Sequence, residues 1–93
     1  MKYLKKIFES LELSSFQEVD GKLVSNFKFK SQTELAQFLL KVAQYADEVN
    51  HHPDCKIHKG FQLEITLFTH DKKEITELDR QLANFIDSLK AKQ

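Results

Sequence analysis

Apolar residues along this chain keep two rhythms and switch between them. Near the start, Leu4, Ile7, Phe8 and Leu11 recur at helical spacing, which predicts an amphipathic helix from residue 2 to about residue 13, with Lys5, Lys6 and Glu9 on its charged face. The period then drops to two. Leu23, Ser25, Phe27 and Phe29 alternate with Val24, Asn26, Lys28 and Lys30, as in a strand with one largely apolar face. Asp20-Gly21 precedes that run. It is a hairpin dipeptide, because both central residues of such a turn need positive φ. Helical spacing returns at Leu35, Phe38, Leu39, Val42, Ala46 and Val49, opened by the capping-box pattern Ser31-Gln32-Thr33-Glu34. This second helix is expected to end near Asn50, since Pro53 disfavours helical geometry in the residue before it.

A short strand over residues 54–57 follows, and Lys59-Gly60 turns the chain. Phe61, Leu63, Ile65, Leu67 and Thr69 share one face of a long strand, with Gln62, Glu64, Thr66, Phe68 and His70 on the other. Beyond the polar stretch DKKE, Thr76 has the character of an N-cap with Asp79 at the third helical position. Leu78, Leu82, Phe85, Ile86 and Leu89 give the last helix an apolar stripe. The order is helix, two strands, helix, two strands, helix. It predicts an α+β domain over residues 1–93: a four-stranded antiparallel sheet with three helices packed on one face.

Composition narrows the function classes. A chain of 93 residues suits one domain, and a 41% hydrophobic fraction builds a modest core, so self-association into a homo-oligomer is expected. Fourteen Lys plus Arg balance 14 Asp plus Glu, which leaves no electrostatic footprint for nucleic acid. One Cys excludes an intrachain disulfide and fits a reducing compartment. The first residues lack the unbroken apolar run of a signal peptide, and no segment has the length of a membrane span. Cytoplasm is therefore the expected location.

The stretch EVNHHPDCKIH, residues 48–58, holds three of the four histidines, the only proline and the only cysteine. His51 and His52 follow a helix C-terminus, and Pro53 sets the direction in which the chain leaves it. Two histidines there can simply finish a helix. His70 can be a strand-end surface residue, Asp79 can serve only as a cap, and Asp47 can be a solvated carboxylate or the partner of a nearby histidine. His51, His52, Cys55 and His58 are zinc-type ligands, but their spacing matches no finger or ribbon, and strand alternation sets Cys55 and His58 on opposite faces. Cys55 lacks a nucleophile motif and reads better as a small half-buried strand residue. Gly21 and Gly60 are turn glycines, and there is no phosphate loop, nucleophile elbow or dinucleotide fingerprint. Imidazole and carboxylate remain, which points to proton transfer on a small substrate.

Asp47, then three residues, then His51-His52-Pro53, then Thr69-His70, then Asp79 after eight more residues: this constellation resembles the pterin-4a-carbinolamine dehydratases. The resemblance runs from the first hairpin through ITELDRQLANFIDSL. It implies a four-stranded antiparallel sheet with helices on one side, a homodimer or homotetramer, and no metal or cofactor. It also implies a substrate, a 4a-hydroxytetrahydropterin dehydrated to quinonoid dihydropterin plus water during tetrahydropterin recycling. By the same resemblance, His51 and His70 are the acid/base pair, and His52 is a catalytic residue that holds the pterin ring and assists. Asp79 orients or charge-stabilises a histidine, Asp47 is the acidic position ahead of the histidines, and Pro53 and Thr69 belong to the substrate pocket. Histidine suits such work, because acid/base catalysis is most effective with a group that titrates near ambient pH.

The chain departs from the family pattern in two places. DCKIHKG has no aromatic residue where one is usual after HHP and is one residue longer, and Phe16 stands where a tryptophan is common. Two other readings stay open: a non-catalytic dimerisation or interaction module, and a pterin role in molybdopterin metabolism.

Overall fold

The computed structural model describes residues 14–92. Its elements are β1 (Gln17–Val19), β2 (Lys22–Lys28), α1 (Gln32–Val49), β3 (Asp54–His58), β4 (Gln62–Leu67) and α2 (Glu77–Ala91). The described residues thus carry two helices rather than three, and the helix expected over 2–13 lies outside them. Asp20 and Gly21 adopt φ of 52° and 77°, the mirror-image turn that matches the twist of the flanking strands, and Val19 pairs with Lys22 across it.

All strand pairs are antiparallel, but the sheet order is β1-β2-β4-β3, which differs from the order along the chain. The crossover through α1 leaves β2, skips one strand position and delivers β3 to the far edge, and the next hairpin returns β4 to the place between them. Side-chain chemistry explains the choice. On β4, Leu63, Ile65 and Leu67 are at most 1% exposed and lie opposite Phe27, Ser25 and Leu23 of β2. On β3, only Cys55 and Ile57 share that face, so β3 tolerates an edge that β4 could not. The strand expected to run to Thr69 stops at Leu67. Thr69 pairs only with Glu74, as an isolated bridge that closes the loop before α2. Its inward side survives the break, and Thr69 is buried.

Both helices cover one face of the sheet. Leu35, Phe38 and Val42 of α1 and Leu82, Ala83 and Ile86 of α2 join the sheet residues in a single core. The rings of Phe27 and Phe29 lie 5.5 and 5.1 Å from that of Phe38, and Tyr45 stacks on Phe85 where the helices meet. Asp87 of α2 accepts hydrogen bonds from the Ser14 hydroxyl and from the amide and hydroxyl of Ser15, which fastens the approach to β1.

The two ends of α1 are closed by different devices. Ser31 caps the first, with its hydroxyl accepting the Glu34 N–H. Glu34 reaches back to the Lys30 N–H rather than to Ser31, so the expected capping box is shifted by one residue. At the other end Asn50 turns left-handed, φ 54° and ψ 43°. Its N–H bonds to the Asp47 carbonyl and that of His51 to the Ala46 carbonyl. This paired pattern is a Schellman motif, and it stops the helix before Pro53 can act. It also turns His51 back against the body of the domain.

Candidate active site

Three chain segments converge on Asp79. The Schellman turn brings His51, the bridge at the end of the sheet brings Thr69, and the first turn of α2 brings Thr76 and Asp79. The His51 Nε2 lies 2.6 Å from Asp79 Oδ1. Thr69 donates its hydroxyl proton to Asp79 Oδ2 at 2.7 Å, and the Thr76 N–H donates to the same oxygen at 2.9 Å. The two threonine hydroxyls are 2.7 Å apart. Asp79 is fully buried, and the His51 side chain is 12% exposed.

A carboxyl group placed there without partners would stay neutral. Burial does push Asp79 upward. The hydrogen bonds from His51, the Thr76 N–H and Thr69, together with the charge of His51, outweigh it and hold the carboxyl below its ordinary value. Asp79 is therefore a carboxylate at neutral pH and only accepts hydrogen bonds. It follows that Nε2 of His51 carries the proton between them. No described residue bonds Nδ1, and no buried side-chain nitrogen or oxygen among the described residues lacks a partner. Nδ1 is thus the nitrogen that water or a ligand can reach.

This depression links Asp79 to stability. The native carboxyl binds a proton less readily than the unfolded one. Its contribution is complete above the unfolded value, about pH 4, and is lost as the pH falls through the lower native value. The expected result is that the gap in urea midpoint between wild type and Asp79→Asn narrows below about pH 4. A gap that stays constant between about pH 6 and pH 3 would exclude the depressed carboxyl as its source.

The other candidate residues divide into separate groups. His52 Nε2 meets Asp47 Oδ1 at 2.8 Å, one turn back on α1, with both side chains well exposed. Such an open pair adds little stability and serves mainly to aim the ring. His70 is exposed in the loop after Thr69, its ring 5.2 Å from that of Phe68 in an edge-on contact. No hydrogen bond among the described residues joins it to His51, His52 or Asp79. Pro53 is half-buried between His52 and β3.

The cysteine alternatives fare differently. Cys55 faces the helices opposite Ile65, and His58 faces away opposite Gln62. Burial, with help from the Asp54 charge, pushes the Cys55 thiol up to about 11, so it is protonated and a poor nucleophile. Among the described residues, no three His, Cys, Asp or Glu side chains gather as a metal site would require. Thr76 is the residue whose sequence context points to capping alone. Its hydroxyl sits in the site because the loop closed by Thr69 and Glu74 brings it there.

Comparison with known proteins gives this constellation its context. The family model for Pterin 4 alpha carbinolamine dehydratase matches residues 4–89. The chain belongs to that family. Among its dehydratase relatives, a Prochlorococcus marinus protein with the provisional name pterin-4-alpha-carbinolamine dehydratase is 39% identical over 79 residues, which cover 84% of this chain and 80% of that one. The crystal structure of a transcriptional coactivator/pterin dehydratase from Brucella melitensis superposes with a TM-score of 0.78 at 30% identity, covering 91% and 93% of the two chains. A pterin dehydratase-like protein identified as a RuBisCO assembly factor in the alpha-carboxysome gives a TM-score of 0.64 at 25% identity, over 80% and 84%. No helix among the described residues is long and apolar enough to cross a membrane.

Proposed function

We propose that this chain catalyses the dehydration of a 4a-hydroxytetrahydropterin to quinonoid dihydropterin and water. The observation that carries the proposal is the buried Asp79 carboxylate holding His51 through Nε2, with Nδ1 left free. Membership of the dehydratase family supports the same reading.

The reaction moves one proton to the hydroxyl oxygen on the carbinolamine carbon and removes one from the adjacent ring nitrogen. As the carbon–oxygen bond breaks, the nitrogen lone pair forms the new carbon–nitrogen double bond, and water leaves. His51 is suited to be the base. Taking the nitrogen-bound proton at Nδ1 makes it an imidazolium, and the Asp79 carboxylate stabilises that charge where it forms. His70 delivers the proton to the departing oxygen, its exposed position giving it ready exchange with solvent. His52, aimed by Asp47, holds the pterin ring, and Pro53 fixes the path between the two histidines and β3. No step calls on a metal or cofactor.

The test is the decay of freshly generated 4a-hydroxytetrahydropterin, followed by ultraviolet absorbance against the spontaneous rate. The protein should accelerate it, and His51→Ala should remove most of that acceleration, about 10²–10⁴-fold. A folded protein that leaves the spontaneous rate unchanged would overturn the reading. It would favour instead an interaction role, for which one observation speaks. Leu40 and Ile57, 59% and 50% exposed, line an apolar groove of about 470 Å³ between α1 and β3 whose lining includes no histidine. Proteins of this fold include ones described as a coactivator and as an assembly factor.

A further inference from the structure

We propose that the hydroxyls of Thr76 and Thr69 form a one-way hydrogen-bond chain that aims Asp79 and thereby fixes which nitrogen of His51 reacts. The inference rests on the dehydratase reading for its kinetic consequence, but the hydrogen-bond direction stands on the geometry around an ionised Asp79.

Each hydroxyl has a single proton to give. Thr69 Oγ1 lies 2.7 Å from the Asp79 carboxylate oxygen, which can only accept, so the Thr69 proton is committed to Asp79. Thr69 Oγ1 is also 2.7 Å from Thr76 Oγ1. With its own proton spent, Thr69 can only accept there, and Thr76 must donate. The order is Thr76 to Thr69 to Asp79, with no freedom to reverse.

The chain does more than fill hydrogen-bond capacity. Asp79 Oδ2 receives two donors, the Thr69 hydroxyl and the Thr76 N–H, while Oδ1 receives only His51. Two donors from different elements hold the carboxylate plane, and the second oxygen is thereby pointed at the imidazole. Thr69 is rigid enough for this task, because its backbone is bonded in both directions to Glu74, at 3.1 and 3.4 Å. Removing the Thr76 hydroxyl leaves both Oδ2 donors in place and loosens only the second contact of the Thr69 hydroxyl, whereas removing the Thr69 hydroxyl leaves Oδ2 with the Thr76 N–H alone and lets the carboxylate turn about its last bond. The His51 Nε2–H then loses its fixed acceptor, and the ring can shift to the other tautomer, which places a proton on the nitrogen meant to act as base. Thr69 and Thr76 are positioning residues in this scheme and need not touch substrate.

The experiment compares wild type with Thr69→Val, Thr76→Val and Thr69→Ser. Nitrogen-15 NMR of the histidine rings reports the His51 tautomer directly, and steady-state dehydration kinetics are run on the same samples. Wild type should show a single Nε2–H tautomer. Thr69→Val should show a mixed population and a kcat lower by roughly tenfold with KM nearly unchanged, the pattern of a lost transition-state interaction, and Thr76→Val a smaller change of both readouts in the same direction. Thr69→Ser, which keeps the hydroxyl, should restore both readouts. If Thr69→Val does not fold, the half-buried Thr76 gives the second variant on which the proposal still stands or falls. Valine variants that fold and retain the pure Nε2–H tautomer would overturn it. A tautomer shift in a protein that does not dehydrate the pterin would sustain the positioning chain and sink the functional reading, so the two failures are separable.

Discussion

Asp79→Asn should abolish most catalysis while leaving a folded protein. The substitution is nearly isosteric, and the amide oxygen can take the place of Oδ2 and keep the Thr69 hydroxyl and the Thr76 N–H. The amide NH2 then occupies the place of Oδ1, 2.6 Å from His51 Nε2. Two donors cannot share that contact. The imidazole resolves the conflict by moving its proton to Nδ1 and accepting from the amide at Nε2. The nitrogen that faces the ligand is then protonated and can no longer serve as base, and no carboxylate remains to stabilise an imidazolium. The expected loss in kcat is about 10²–10⁴-fold, the range for removing a positioned acid/base group, with KM little changed. Ring NMR should show a single, inverted tautomer. Activity within about threefold of wild type would mean that His51 is not the base. The effect should exceed that of Thr69→Val because Asn inverts the tautomer outright, while the valine only loosens it.

The site is legible in the sequence wherever chemistry and local geometry coincide. His51, His52 and Pro53 stand out as neighbours, and it is their combination with Thr69-His70 and the spaced Asp79 that supports a family resemblance. What joins them is not legible. Asp79 lies 28 residues from His51 and 10 from Thr69 along the chain, and nothing in spacing says that one carboxylate serves both. Thr76 reads as a cap because capping is a local rule, whereas its bond to Thr69 depends on a loop closed by a single bridge. Pro53 draws attention as the helix stop, yet Asn50 performs it, because the left-handed turn already satisfies the last carbonyls. The same division holds for the fold. Alternation along β2 and β4 is local and shows plainly in the residues. Placing β4 rather than β3 beside β2 is a contest of buried area between strands, which periodicity alone does not rank.

Phe38→Ala should cost more stability than any change in the site. Phe38 is fully buried in α1, with two rings against it at 5.5 and 5.1 Å. Truncating a buried Phe costs about 3–5 kcal/mol, since the transfer energy is lost and the cavity collapses only in part. A domain of this length has roughly 5–14 kcal/mol in all, so about a fifth or more disappears. The melting temperature should fall by roughly 15–30 °C. Phe38→Leu keeps most of the volume and should fall far less, and Leu40→Ala, two residues on at a 59% exposed position, should be nearly neutral. A Phe38→Ala protein melting within about 5 °C of wild type would mean the core does not depend on this ring. The variant also separates stability from chemistry. Phe38 sits roughly 20 Å along α1 from the turn that carries His51. Well below its lowered midpoint, the folded fraction of Phe38→Ala should therefore keep the wild-type His51 tautomer and a kcat close to wild type. Asp79→Asn does the reverse, keeping the fold and losing the chemistry. The core sets how much of the protein is folded, and under the proposed function the Asp79 network sets the chemistry of the folded part.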